Sequence, residues 1–321
     1  MSQENVDLSS FSEKIHNIRN EASKALVGQG KMLDLLLTAL FAQGHVLIEG
    51  VPGVAKTLSA RLLAALVKSD FKRIQFTPDL MPSDILGTSI FNLKEQAFEY
   101  RKGPIFGNLV LIDEINRAPA KTQASLFEVM EERQVTNDGT VYPLDELFMV
   151  IATQNPIEQE GTYRLPEAQL DRFLFKISVD YPSLQEEYLI LEVVGNRKSF
   201  KSLEFITPVL TMEEVAAMQS FIEGVIIKPE LLQYIAQLVQ STREHPSLYL
   251  GASPRASIDL MNASKAFAVL NCRDYTTPED IQYLFSPVVE HRVLRTPEAE
   301  LQGVTLDEVS QQIIQQVEVP N

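Results

Sequence analysis

The sequence predicts an α/β fold built on a parallel sheet and followed by an all-helical domain. Three observations lead there. Short, continuous apolar runs alternate with helical stretches through the first half of the chain, the pattern of strands buried on both faces. The string Gly50-Val51-Pro52-Gly53-Val54-Ala55-Lys56-Thr57 lies between an apolar run and a helical pattern, where a phosphate-binding loop has to sit. From Pro182 onward strand-like runs vanish and helical periodicity dominates.

Taken in order, residues 1 to about 44 read as helical, with Phe11, Ile15 and Ile18 at helical spacing and a more buried helix over Leu33 to Leu40. Leu26-Val27-Gly28-Gln29 is a glycine-bearing turn between the two. Val46 to Ile48 is a buried strand, and Leu58, Leu62, Ala65 and Leu66 mark one face of the helix after the loop. Lys72 to Phe76, Leu109 to Ile112, Phe148 to Ala152 and Phe173 to Val179 read as further strands, with helices over Ser59 to Val67 and Lys121 to Glu132.

Two hairpins interrupt the alternation. One joins Ile90–Leu93 to Ala97–Tyr100. The other joins Arg133–Thr136 to Val141–Tyr142 through Asn137-Asp138-Gly139-Thr140, where Asp-Gly is a strong turn signal. In the second half, helices are predicted over Met212–Ile222, Leu231–Gln240, Ser257–Leu270 and Pro278–Val289. The change of character places a domain boundary within 182–205. Taken at 190/191, it gives a core of residues 1–190 and a helical domain of residues 191–321.

The 321 residues carry 28 basic and 43 acidic side chains, a net charge of −15. That balance argues against unspecific nucleic-acid binding, which needs clustered Lys and Arg, although it leaves room for a local basic channel. Cys272 is the only cysteine, so no internal disulfide can form, and the four histidines show no zinc-binding spacing. The polar N-terminus does not read as a secretory signal, and the longest apolar stretch, near Leu35 to Ala42, is too short to span a bilayer. A cytoplasmic protein without membrane insertion is expected.

The chemistry is concentrated in five places. Helix N-termini favour anions. In the loop, Lys56 can therefore reach the terminal phosphates of a nucleotide, and the Thr57 hydroxyl can ligate Mg²⁺. Ala55 stands where glycine is usual, and its Cβ fits only if the residue avoids positive φ. The run Leu109–Ile112 ends in Asp113-Glu114, which places two carboxylates at the carboxyl edge of the sheet, where α/β ligand sites lie. Asp113 can hold the Mg²⁺ water shell, and Glu114 can orient and deprotonate a water. Asn155 ends another strand and can contact the γ-phosphate. Arg172, at a helix tip, can offer a guanidinium to developing negative charge. Arg255 opens a helix of the second domain and can reach back to the nucleotide.

In this order the motifs resemble AAA+ ATPases. The strings Gly50–Thr57, Ile112-Asp113-Glu114-Ile115-Asn116-Arg117-Ala118-Pro119, Ala152-Thr153-Gln154-Asn155-Pro156 and Leu165-Pro166-Glu167-Ala168-Gln169-Leu170-Asp171-Arg172-Phe173 look like the MoxR branch. In that branch alanine before the loop lysine is usual, so Ala55 supports the resemblance.

The resemblance implies a P-loop NTPase core and a helical lid binding ATP and Mg²⁺ between them. Gly50, Val51, Pro52, Gly53, Val54, Ala55, Lys56, Thr57 and Leu58 would form the nucleotide cradle, and Val27, Gly28 and Gln29 would border the adenine. Thr57 and Asp113 would hold the metal. Glu114 and Asn155 would act on the water, with Asn155 as sensor 1 and Arg255 as sensor 2. Arg172 would be the finger acting on a neighbouring subunit's nucleotide, so the active form would be a homo-oligomeric ring, a hexamer; Arg164 lies near the same position, and the choice stays open here. The two hairpins would match the inserts of the group and face the ring surface or pore. The resemblance further implies a chaperone-like remodelling ATPase that works with proteins containing a von Willebrand factor A domain, in maturation or metal-cofactor insertion. Three other functions stand beside it: a nucleotide-dependent scaffold with little hydrolysis, a metal-chelatase-like ATPase subunit, and a nucleic-acid motor, which the charge disfavours.

Overall fold

The computed structural model describes residues 8–156, 161–195 and 203–320. Residues 1–7 of the polar N-terminus, and residues 196–202 within the expected boundary stretch, lie outside the described residues.

Two helices, α1 (Leu8–Ser23) and α2 (Gly30–Phe41), lead into β1 (Val46–Gly50) and α3 (Lys56–Leu66). There follow β2 (Phe71–Gln75), α4 (Pro82–Leu86), the hairpin β3 (Gly87–Asn92) and β4 (Ala97–Lys102), β5 (Leu109–Asp113) and α5 (Ala120–Glu132). A second hairpin, β6 (Gln134–Asn137) and β7 (Thr140–Pro143), precedes β8 (Met149–Gln154), α6 (Glu167–Leu170), β9 (Phe175–Val179) and α7 (Leu184–Gly195). The expected boundary at 190/191 falls inside α7.

The second half contains α8 (Met212–Glu223), α9 (Pro229–Glu244), α10 (Pro254–Leu270) and α11 (Pro278–Val289). A short 3-10 turn (Glu290–Arg292), α12 (Pro297–Leu301) and α13 (Leu306–Gln316) complete it. It also contains a small antiparallel ribbon, β10 (Leu248–Leu250) with β11 (Leu294–Arg295), which strand periodicity did not predict. At three and two residues, these strands are too short to show an alternating pattern.

The main sheet has the order β2-β5-β8-β1-β9, and every neighbour pair is parallel. Its side chains divide cleanly between two cores. Val46, Ile48, Leu109, Leu111, Met149 and Ile151 face one core, while Leu47, Val110, Ile112, Val150 and Ala152 face the other. This alternation explains why the strands read as unbroken apolar runs: both faces are covered. The first core is continuous from α1, α2 and α3 into the second half, where it takes in Leu260, Leu284 and Val288. Gln219 on α8 donates to the Leu40 carbonyl at 2.8 Å, a polar tie between α8 and α2.

The two hairpins brace each other. Tyr100 stacks on Tyr142 with ring centroids 4.2 Å apart, and Ser89 donates to Asp138 at 2.6 Å. Asp138 and Gly139 both have positive φ, 49° and 77°, as a two-residue hairpin turn with matching twist requires. Ile90, Phe91, Leu93 and Phe98 are exposed on the first hairpin.

His45 fixes the start of β1. It is buried, accepts from the Val150 N–H at its Nδ1 (3.0 Å), and has its Nε2 3.1 Å from the Met130 carbonyl. Nδ1 is an acceptor, so the proton sits on Nε2 and the ring is neutral. Burial holds its pKa down at about 4 against an ordinary 6.5. Below pH 6.5 the unfolded chain binds a proton that the folded chain resists until about pH 4. Stability is therefore full above 6.5 and falls as the pH drops toward 4, by up to ~3 kcal/mol from this group. His45→Gln should remove about 2 kcal/mol of the stability difference between pH 7 and pH 5, measured by urea unfolding. An unchanged difference would assign the titration to other groups.

Candidate nucleotide site

The site is built at the carboxyl ends of three adjacent strands. Register pairs Glu49 with Gln154 and Ile112 with Ala152, so the loop after β1, the carboxylates ending β5 and Asn155 after β8 come to one edge. There they line a cleft of about 340 Å³ with Pro52, Gly53, Ala55, Lys56, Thr57 and Leu58. Gly50 and Val51 take part through their carbonyls, which accept from Lys56 Nζ, as does the carbonyl of Gln154. Val54 is buried in the core instead of lining the cleft. Gly50 has no room for a side chain, since a Cβ would lie 2.7 Å from the Val179 carbonyl oxygen.

Ala55 overturns one expectation. It caps α3 in the left-handed region, at φ 62° and ψ 18°. Most helix N-caps are extended, so the left-handed turn here belongs to the loop and not to the helix start in general. The alanine tolerates this position; it does not escape it.

Asp113 is buried and is the hub of the cleft. Its Oδ1 accepts from Thr57 Oγ1 at 3.2 Å and from Thr153 Oγ1 at 3.1 Å, and its Oδ2 is 2.6 Å from Arg73 Nε. A carboxylate beside a hydroxyl is the hard-oxygen donor set that Mg²⁺ takes when it binds through one or two protein groups plus substrate phosphates. The residues therefore fit that ion. Glu114 follows in a left-handed conformation, at φ 58° and ψ 52°. Its N–H donates to Thr153 Oγ1 at 3.1 Å, and its Oε2 is held by Gln75 Nε2 at 2.8 Å and Arg117 Nε at 3.0 Å. Such a conformation costs a non-glycine residue free energy and occurs preferentially at functional sites. Asn155 is buried at the same edge.

Arg73, Gln75 and Thr153 are site residues that sequence reasoning left without a role. Gln75 pairs in register with Asp113 across β2 and β5, and Arg73 lies two residues earlier on the same face. Only the strand order makes them neighbours of the carboxylates.

A second, larger cleft of about 690 Å³ lies between Gly28 and Gln29 at the start of α2, the segment Lys176–Pro182, and the lid residues Ser286, Pro287 and Glu290. Gly28 and Gln29 line it, and Val27 does not. Gly28 lies under the Glu186 carboxylate, which would meet a Cβ there.

The two arginines sit elsewhere. Arg172 donates to the Phe127 carbonyl and is 2.7 Å from Glu131 Oε2. Arg255 is 3.8 Å from the other oxygen of the same carboxylate. Arg255 therefore does not reach back into the phosphate-loop cleft of its own chain, contrary to the sequence reading. The start of α10 is drawn to the α6 side, where Ser253 donates to Asp171 at 3.3 Å. Arg164, the other finger candidate, has an 84% exposed side chain with a 3.6 Å contact to Glu167, whereas Arg172 is 28% exposed.

A tight-turning loop, paired carboxylates and a helical lid define a P-loop nucleotide-binding protein of the AAA+ class. Residues 45–175 match the model of the ATPase family associated with various cellular activities, and residues 240–316 match the AAA lid domain. Chaperone MoxR1 of Mycobacterium tuberculosis is 41% identical over 94% of this chain and 81% of its own length. The uncharacterized protein YeaC of Bacillus subtilis is 48% identical over 97% of both chains. A crystal structure from Cytophaga hutchinsonii, described provisionally as an ATPase, superposes with a TM-score of 0.89 at 42% identity, covering 98% of this chain and 97% of that one. The chain belongs to the MoxR family of AAA+ ATPases.

Replacing Ala55 with glycine should stabilise the nucleotide-free protein. A left-handed alanine costs ~1–2 kcal/mol, and the extra freedom of unfolded glycine offsets ~0.4–1 of the gain. A net rise of roughly 0.5–1 kcal/mol in urea unfolding is expected for Ala55→Gly. A fall would mean that the Ala55 Cβ contacts with the core outweigh the backbone strain.

Proposed function

We propose that this chain is a Mg²⁺-dependent, chaperone-like ATPase that acts as a homo-oligomeric ring, a hexamer, in which each nucleotide is completed by the neighbouring copy. The observation that carries this reading is the convergence of Arg172 and Arg255 on Glu131, apart from the phosphate-loop cleft of their own chain. Two guanidiniums sharing one carboxylate concentrate positive charge suited to a polyanionic group. A neighbour's γ-phosphate is such a group.

Within one chain, the loop N–H groups and Lys56 bind the β- and γ-phosphates of ATP. Gly28 and Gln29 border the adenine in the larger cleft. Thr57 and Asp113 would hold Mg²⁺, which would neutralise charge on the phosphate oxygens. Glu114 accepts a proton from the attacking water, and Asn155 orients that water against the γ-phosphorus. The bond to the ADP oxygen breaks as the new P–O bond forms. Arg172 and Arg255 of the neighbouring copy stabilise the charge on the transferred group.

The relative named Chaperone MoxR1 supports a chaperone role. The partner proposed is a protein with a von Willebrand factor A domain, matured or loaded with a metal cofactor, and the exposed Leu93 and Phe98 of the first hairpin suit contact with it. No helix among the described residues is long and apolar enough to cross a membrane. A cytoplasmic location is part of the proposal. A slow, scaffold-like basal state is favoured by one observation: Gln75 and Arg117 both occupy Glu114 Oε2. A partner that frees this oxygen would raise turnover.

Glu114→Gln should bind ATP like the parent and lose turnover by roughly 10²–10⁴-fold. Arg172→Ala should lose turnover as well. Mixing the two variants should restore it, because Glu114→Gln copies lend an intact arginine to Arg172→Ala clefts. Steady-state phosphate release checks all three, and a mixture no more active than its parts would rule out action between copies.

A further inference from the structure

The lid reaches the arginine pair through one buried cation. Arg292 ends the short turn Glu290–Arg292, and its side chain is only 1% exposed. It pairs with Asp171 at 2.8 Å and with Asp259 at 2.5 Å. It also donates to the carbonyls of Asp171 (3.2 Å) and Phe173 (2.8 Å). His291, held neutral because burial pushes its pKa well below the ordinary histidine range, has its Nε2 2.8 Å from the same Phe173 carbonyl.

Arg172 is the residue between those two anchored carbonyls. Asp259 lies one turn along α10 from Arg255. A single guanidinium thus fixes the backbone on both sides of one arginine and the helix that carries the other. Phe173 adds an edge-to-face contact with Phe127, whose carbonyl receives Arg172. Stability alone is a weak reason to keep such a group. A buried ion-pair cluster can often be replaced by apolar residues of similar volume without loss. What the cluster provides is a fixed geometry. Glu290, two residues earlier, lines the larger cleft together with Ser286 and Pro287. The wall of that cleft and the anchor of the arginines are therefore parts of one short lid segment.

We propose that Arg292 is a positioning residue for ATP hydrolysis, holding Arg172 and Arg255 in the orientation in which they meet the neighbouring copy's nucleotide. The inference rests on the reading that these arginines act between copies. Arg292 touches no substrate; it acts through Asp171, Phe173 and Asp259.

Arg292→Lys keeps the charge but lacks the planar fork needed to span two carboxylates and two carbonyls. Its phosphate release should fall by roughly tenfold to a hundredfold. Its own cleft should still bind a fluorescent ATP analogue with parental Kd and stoichiometry, since the misplaced groups belong to the next copy's site. Mixed with Glu114→Gln copies, it should regain turnover, as Arg172→Ala does. A merely structural defect would lower the binding stoichiometry and would not be rescued.

If Arg292→Lys fails to fold, Asp259→Asn carries the same test, because it leaves Arg292 paired with Asp171. Parental turnover in the folded variant overturns the proposal. Loss without rescue, while the Arg172→Ala mixture is rescued, also overturns it and leaves action between copies standing. Failure of both mixtures removes that reading and the inference with it.

Discussion

Parallel pairing of Val46–Gly50 with a strand on either side is the constraint on which the rest of the molecule depends. It places the phosphate loop at the edge where β5 and β8 also end. It also sets Val179 against Gly50 so closely that no side chain fits between them. The loop therefore leaves β1 against the end of β9, and it enters α3 through the left-handed Ala55. His45, at the other end of β1, ties the strand to β8 and α5 through two ring nitrogens, so the strand is fixed before the loop begins.

Charge is organised around that edge in two separate groups. Asp113, Glu114 and Lys56 face the cleft and are held there by Thr57, Thr153, Arg73, Gln75 and backbone carbonyls. Arg172, Arg255 and Glu131 form the second group, backed by the buried Arg292 with Asp171 and Asp259. The first group is assembled within the α/β core. The second draws on both halves of the chain, because α10 and the Glu290–Arg292 turn belong to the lid.

What was legible in the sequence was what is local. Lys56, Thr57, Asp113, Glu114 and Asn155 stand at the ends of short apolar runs, and the strand-then-polar pattern exposes them. The second hairpin announced itself through Asp138-Gly139, and the first through apolar segments on either side of a polar stretch. Arg73 and Gln75 could not be found this way, since their relation to Asp113 exists only once β2 lies beside β5. Glu131 drew no notice in the sequence; it shares the end of α5 with Glu128 and Glu132. Its meaning comes from two arginines that are distant in sequence. Arg255 was placed in its own chain's cleft because the lid's docking, set by a core shared with α1 and α2, leaves no trace in the helical periodicity. The Ala55 conformation was misjudged for a different reason: residue preference was weighed without the geometry of the loop that enters α3.

The two hairpins lean on each other through Tyr100, Tyr142, Ser89 and Asp138, so neither swings alone. The second hairpin starts only two residues beyond Glu132, the last residue of α5, and Arg133 at that junction is pinned to the carbonyls of Gln43 and Glu146. Glu131 sits on the final turn of the same helix. The two hairpins are thus one braced unit joined to the end of α5. A path from Phe98 to Glu131 crosses the Tyr100–Tyr142 stack and the Ser89–Asp138 bond before it reaches the helix that carries the carboxylate shared by both arginines.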